Sequence, residues 1–402
     1  MFLDVLARRN ARLISSAIAL HQAGELPPNC YVLDLDAIRR NARLIKHAAD
    51  AAGLQVYPMA KQVGRNPLFV RAVARAGMPR LVCVDWMGAQ LLARQKARIG
   101  HVGHLVQIPR QEADAICALE PEVWTVFSIA KGQEVSAAAQ RAGRVQDILL
   151  RVVAPGDTFY PTHDGGFELS DVVSAARELS KLSGVRIAGV TSFPTLLFDP
   201  EKTTVALTPN MQTIVRAAER LRTEAGVQVT QINAPGTTSA ATMALLANAG
   251  ATHVEPGHGF TGTTPWHAYA DLPETPAMCY LTEVSGVRGD QAYVLGGGLY
   301  VDPVVPPYQV RAFVGRSGDE ALGNRAEADL GSPAGIDYYA LLDRRSARVE
   351  IGDSVVFGFR AQAFVTRAYV AVVRGISRGR PRLAGLYDAS GKRVPRRNQR
   401  GV

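Results

Sequence analysis

The stretch "YPMAKQVGRNP" (57–67) places a lysine, Lys61, directly after a short apolar run and directly before turn-forming residues. Gly64 and the Asn66-Pro67 pair end any strand that begins upstream. A side chain at such a strand end points into a site more often than into open water. Lys61 is then either a reactive amine or a solvated charge, and the surrounding pattern has to decide between them.

Outward from this point one unit repeats. Short β-branched or apolar runs alternate with helical stretches: "LQVYPM" (54–59), "RLVCVD" (80–85), "HLVQIP" (104–109), "EVWTVF" (122–127), "DILLRVV" (147–153), "RIAGVTSF" (186–193), "QVTQIN" (228–233) and "THVEPG" (252–257). In the helical stretch "TPNMQTIVRAAERLRTEAG", Ile214, Ala217, Ala218 and Leu221 share one face. Eight strands alternating with helices over this length predict a parallel (β/α)8 TIM barrel. An open doubly wound sheet is the structural rival, but no G-x-G-x-x-G follows the first strand.

Beyond "DLPETP" the texture changes. Runs such as "AMCYLTEVSGV", "QAYVLGGG" and "TRAYVAVVRGI" are separated by Gly, Asp and Arg turns, which predicts a separate β-domain. Ahead of the barrel, "YVLDLDAIRRNARLIKHAADAAG" reads as a strand and a helix striped by Ile38, Ala42, Ile45 and Ala49. The expected organisation is an N-terminal helix (1–30), a barrel with its leading strand and helix (31–272), and a C-terminal β-domain with a basic tail (273–402).

Composition narrows the function classes. The 402 residues are 47% hydrophobic and 20% charged, with four scattered cysteines and a net charge of +9. No run of about 18 apolar residues predicts a membrane span. The start "MFLDVLARRNARLISSAIALHQAG" is amphipathic and lacks a secretory block, which leads to the expectation of a cytoplasmic protein. Absence of C-x-x-C argues against a disulfide framework or a thiolate cage. Part of the basic excess lies in "RGRPRLAGLYDASGKRVPRRNQRGV", which reads as a solvated tail, since no aromatic interleaving supports nucleic-acid binding.

A barrel of this kind gathers its site at the C-terminal strand ends, commonly with a phosphate at the loops after strands seven and eight. Strand seven runs into "NAPGTTSAAT", where Gly236, Thr237, Thr238 and Ser239 open the next helix; strand eight runs into "EPGHGFTGTTPWH". Glycines let backbone N–H groups approach an anion, hydroxyls add donors, and a helix start adds partial positive charge. Capping chemistry explains either "GTT" triplet alone; two triplets after consecutive strands favour phosphate binding. Lys61 falls on the same rim. Arg65 can supply the phosphate charge, which frees Lys61 for a Schiff base with an aldehyde.

The leading strand "VLDLDAIRRNARLI", the lysine closing strand one, the eight β/α units and the β-domain resemble the alanine-racemase-like group of fold type III pyridoxal-phosphate (PLP) enzymes. "MAKQVGRNP", "INAPGTTSAAT" and "EPGHGFTGTTP" are similar to an uncharacterised amino-acid-racemase-like branch of it. The resemblance implies that Lys61 is the lysine joined to PLP, that Ser239 binds the phosphate, and that the backbone of Gly257 and His258 binds it too. Two departures stand out. Glu255 takes the place of an arginine that faces the pyridine nitrogen in alanine racemase; a carboxylate keeps that nitrogen protonated and the ring a stronger electron sink. Gly297, in "LGGGLYVDP", takes the place of the opposite-face tyrosine, leaving Tyr300 or Cys279 as substitutes. The metal-dependent members carry a His and a Cys near the C-terminus, whereas "FGFRAQAFVTRAYVAVV" has neither, so no catalytic metal is expected. The pair His101 and His104 has ligand spacing but nothing nearby completes a set, so packing or a strand-edge hydrogen bond is expected. His163 and Asp164 either read a substrate carboxylate or cap a loop.

The expected function is a PLP-dependent amino-acid racemase acting as a homodimer with shared sites. Decarboxylase and D-amino-acid aldolase or dehydratase chemistry are alternatives. From other classes come a non-catalytic PLP carrier, which the β-domain argues against, and a phosphosugar-binding barrel with Lys61 as a simple charge.

Overall fold

The computed structural model describes residues 1–300, 308–331 and 336–395. The chain forms two compact units, one of residues 43–60 and 73–259 and the other of residues 1–42, 61–72 and 260–402.

The first unit is the expected barrel. Its strands are, in order, Gln55–Val56, Arg80–Val82, Arg98–Val102, Val123–Val126, Gln146–Val153, Val185–Thr191, Gln231–Asn233 and His253–Val254. Each pairs in parallel with its neighbours, and the first pairs with the eighth. A parallel bridge from Met59 to Val82 joins first to second strand and brings the ring round. Tyr57, Met59, Val82, Val123, Leu149 and Ala188 pack together as buried side chains from five strands, which is the filled interior expected of a small barrel. Gly189 is required where strands six and seven meet: a Cβ there would lie 1.8 Å from the Gln231 carbonyl oxygen. The helix Pro209–Ala225 starts with Pro at its first turn and stops at Gly226 in the left-handed region (φ 65°), as its sequence dictates. Ile214, Ala217, Ala218 and Leu221 are fully buried.

The third strand differs from expectation. The apolar run 104–109 is a loop, and the strand is the preceding "RIGHV". Gly103 (φ 75°) ends it, because a Cβ there would meet the Thr125 carbonyl oxygen at 2.5 Å. The side chain of Gln107 then holds the loop, donating to the carbonyls of Gly103 (2.7 Å) and Thr125 (3.0 Å).

In the second unit, strands Met278–Arg288, Gln291–Leu295, Tyr339–Asp343, Arg325–Asp329, Arg311–Gly315 and Ser354–Phe357 form a closed antiparallel ring. The sheet extends through Cys30–Asp34, Tyr369–Arg374 and Arg382–Tyr387. The strand expected to lead the barrel therefore belongs here, antiparallel to 278–288 and parallel to 369–374. The helix Phe2–Gln22 packs on this sheet, with Leu6, Leu13, Ile14 and Ile18 in one core with Val32, Leu281, Phe313 and Val356. Each such side chain contributes about 1.5–3 kcal/mol on burial. The helix kinks at Asn10, whose amide donates to the Pro276 carbonyl (2.8 Å) and to Asp34 (3.2 Å). Among the described residues no helix is long and apolar enough to cross a membrane. Residues 301–307, 332–335 and 396–402, the last of these ending the basic tail, lie outside the described residues.

Candidate active site

On the barrel unit, the last residue of strand seven and the loop after strand eight meet at a buried carboxylate. Glu255 has a side chain 1% exposed. His101 Nδ1 lies 2.5 Å from its Oε1, and Asn233 Nδ2 donates to the same oxygen at 2.9 Å. Its Oε2 makes no hydrogen bond among the described residues and lies 3.4 Å from His104 Nε2. Burial pushes the Glu255 carboxyl up, but the adjoining His104 and His101 and the two hydrogen bonds outweigh it and bring it down to about 2. The two partners on Oε1 and the two neighbouring imidazoles favour the charged form in the interior.

His101 and His104 are thus neither strand-edge groups nor mere packing. They flank the carboxylate expected to face the pyridine nitrogen, a role the sequence conceals because Glu255 lies about 150 positions further on. His101, His104 and Glu255 each bring one donor atom within 4.8 Å of the others, a spacing a cation also accepts. Both nitrogens of His101 are already engaged, Nε2 with Thr125 Oγ1 at 2.6 Å.

The loop after strand seven is narrower in its donors than expected. The N–H of Thr237 donates to the Leu196 carbonyl (2.9 Å) and that of Thr238 to the Gly236 carbonyl (2.9 Å). Gly236 is explained by packing, since its Cβ would lie 2.5 Å from the Leu196 oxygen. Ser239 is different: its hydroxyl is buried and has no hydrogen-bond partner among the described residues, while its N–H donates to Thr242 Oγ1. The helical turns it opens, Ala240–Thr242 and Met243–Asn248, are short. Gly257 and His258 follow strand eight, and Gly259 backs onto the first loop, where a Cβ would meet the Thr238 carbonyl oxygen at 2.7 Å. The two loops are therefore in contact.

Arg151, also missed in the sequence, is fully buried on strand five. It donates to the carbonyls of Gly165 (2.8 Å), Phe193 (3.3 Å) and His163. Burial lowers it to about 10. His163 bonds within its own loop, to the Pro161 carbonyl at 2.9 Å, and Asp164 is exposed.

On the second unit, Lys61 opens a 3-10 turn, Lys61–Val63, and is half-buried. It directly follows Ala60, two residues beyond Met59. The next turns are left-handed at Gly64 (φ 62°) and Arg65 (φ 52°). Lys61 Nζ lies 5.5 Å and Arg65 Cζ 5.3 Å from the ring centroid of Phe364, so one aromatic ring serves two cations. The second "GTT" triplet is here. Thr263 bonds Thr261 (2.7 Å), Thr264 bonds His267 (2.6 Å), and Gly262 (φ 61°) packs on Thr275 and Pro276. Those hydroxyls are engaged within the turn and the cap.

Cys279 is 2% exposed in the sheet core, and burial pushes its thiol far above the ordinary range. Its burial in the sheet core, and not the raised pKa, argues against the expected role as an acid. Gly297 (φ 92°) lies where a Cβ would come within 3.1 Å of Arg367 Nη2 and Asn29 Nδ2, so a side chain there is strained. Tyr300 is 38% exposed.

The family model described as alanine racemase, N-terminal domain, matches residues 33–265, and one described as YhfX-like, C-terminal domain, matches 279–383. The chain is 39% identical to the Escherichia coli (strain K12) protein YhfX over 395 residues, 97% of this chain and 99% of that one. Among solved structures it resembles D-threonine aldolase from Filomicrobium marinum (TM-score 0.69, 17% identity, 92% of this chain and 96% of that one). It also resembles D-threo-3-hydroxyaspartate dehydratase from Delftia sp. HT23 (TM-score 0.65, 17% identity, 90% and 97%). Alanine racemase of Clostridium difficile 630 is similar at TM-score 0.62 and 13% identity, over 90% and 98%. With a closed parallel barrel, an antiparallel β-unit and these matches, the chain belongs to the alanine racemase family of fold type III enzymes, which use pyridoxal phosphate.

Proposed function

We propose that the protein is a pyridoxal-phosphate enzyme acting at the α-carbon of a free amino acid, with racemisation as its reaction. The observation that carries this reading is the buried Glu255, one oxygen of which has two partners while the other has no hydrogen bond among the described residues. That oxygen fits a protonated pyridine nitrogen, which donates one hydrogen bond. The buried Ser239 hydroxyl, without a partner among the described residues, fits a phosphate oxygen, and the backbone of Gly257 and His258 is proposed to add donors.

Pyridoxal phosphate, when bound, supplies an electron sink for charge developed at the α-carbon. Glu255 would hold the ring nitrogen protonated and so strengthen that sink. Lys61 would hold the aldehyde carbon, and its Nζ would carry the α-proton. Arg65 contributes positive charge for the phosphate. Gly236, Thr237 and Thr238 shape the loop that presents Ser239. Tyr300 is the group proposed to exchange a proton on the opposite face. Cys279 is not part of the set, and we assign no catalytic metal, since His101 already bonds through both ring nitrogens.

A second reading is favoured by Gly297. With glycine in the place of the family's tyrosine, a one-base reaction suits the site: decarboxylation, or aldolase or dehydratase chemistry like that named for the two structural relatives. A PLP carrier without turnover is disfavoured by the complete β-unit.

Members of the family commonly dimerise, and we propose a homodimer with shared sites. Ile336, Tyr338 and Tyr339 support it, being 71%, 64% and 52% exposed on the β-unit. We place the protein in the cytoplasm. The deciding experiment incubates the purified enzyme with a panel of D- and L-amino acids in heavy water. Exchange of the α-hydrogen with inversion, lost in Lys61→Ala, supports racemisation. Release of carbon dioxide, of an aldehyde with glycine, or of ammonia with a keto acid replaces it with the second reading. No exchange and no product from any amino acid contradicts both.

A further inference from the structure

We infer that His101 is a positioning residue: backed by Thr125, it locks the Glu255 carboxylate so that only Oε2 is presented to a bound cofactor. The inference rests on the reading above, in which Glu255 faces the pyridine nitrogen.

Four strands around the barrel contribute. His101 comes from strand three, Thr125 from strand four, Thr191 from strand six and Asn233 from strand seven, and all four side chains are fully buried. The imidazole is held at both ends, Nδ1 at 2.5 Å from Glu255 Oε1 and Nε2 at 2.6 Å from Thr125 Oγ1. Turning the ring over breaks both bonds. Asn233 holds Oε1 a second time and is itself held, its amide lying 3.3 Å from Thr191 Oγ1. Oε1 thus has two donors and Oε2 none, with His104 Nε2 3.4 Å away.

A carboxylate fixed through one oxygen has one orientation for the other. Desolvation strongly disfavours a buried carboxylate that lacks donors. His101 therefore acts on the cofactor only through Glu255, by keeping that acceptor charged and aimed. Thr125 acts one step further out, by denying the imidazole any other orientation.

The test uses PLP labelled with nitrogen-15 in its ring, bound to wild type, His101→Ala and Thr125→Val. The ring-nitrogen resonance reports its protonation directly. In wild type the resonance is expected at its protonated position. His101→Ala is expected to move it toward the unprotonated position and to weaken PLP about tenfold, the effect of one hydrogen bond to a charged group. Thr125→Val, close in volume and safer for folding, is expected to shift it the same way by less. Rescue of the His101→Ala resonance by added imidazole supports the assignment. A merely structural histidine lowers thermal stability in both variants and leaves the resonance at its wild-type position; that result overturns the inference. Wild type that binds no PLP overturns the functional reading first, and is seen without any variant. PLP bound to wild type with an unprotonated ring overturns the role given to Glu255, and with it that of His101.

Discussion

The main chain of Gly259 runs against the carbonyl of Thr238, so closely that a Cβ at 259 would stand 2.7 Å from that oxygen. The loops after strands seven and eight touch at this point, and Ser239, Gly257 and His258 are brought to a common edge of the barrel. Gly259→Ala forces the two apart. Overpacking of this kind costs about 1–3 kcal/mol. Lower stability in urea together with weaker PLP binding is expected; the same loss of stability with unchanged affinity for PLP separates the contact from the cradle.

Ser239 tests the cradle. Its hydroxyl has no hydrogen-bond partner among the described residues, and Ser239 is the N-cap of the turn Ala240–Thr242, so Ser239→Ala is expected to cost about 0.5–2 kcal/mol of stability. A hydrogen bond to a charged phosphate is worth about 1.5–3 kcal/mol. Titration with PLP, followed by absorbance, is expected to show affinity reduced by about tenfold or more. Pyridoxal without its phosphate is expected to bind both proteins alike.

The barrel is expected to lose stability in acid over two windows. Burial, with His101 next, holds His253 down to about 4 from 6.5. The unfolded chain then binds the extra proton first, and stability falls as pH drops from 6.5 to 4. Glu255 has its folded value lowered to about 2 from 4.5, so its contribution is intact above 4.5 and lost on the way to 2. Urea unfolding across pH measures this. His253→Phe, which keeps a ring stacked on Tyr57, is expected to flatten the upper window alone.

Phe364 was not legible as a site residue, yet it faces both Lys61 and Arg65. A double-mutant cycle of Phe364→Leu with Lys61→Met is expected to give a coupling of about 0.5–1 kcal/mol in the cofactor-free protein. A coupling of zero removes Phe364 from the account of how the amine is held.

The sequence made some of this readable for physical reasons. Barrel strands buried on both faces appear as apolar runs, and one helix stripe at 214–221 turned out wholly buried. A run alone does not say whether it is paired: "HLVQIP" is apolar but follows a left-handed glycine that ends the strand. Strand 30–34 reads as part of the barrel because a helix follows it, whereas its partners lie some 250 and 340 positions away. Lys61, Ser239 and Glu255 were visible at strand ends. His101 and Arg151 were not, because their meaning depends on which strands curl round to face them. Cys279 was ambiguous until its burial removed it.

The most direct test of the central claim is chemical trapping of Lys61. Protein reconstituted with PLP is reduced with borohydride, digested and sequenced by mass spectrometry. The account predicts a yellow protein bleached by the reductant, with the pyridoxyl group on Lys61 and none in Lys61→Ala. A colourless protein, or the group on another lysine, contradicts it.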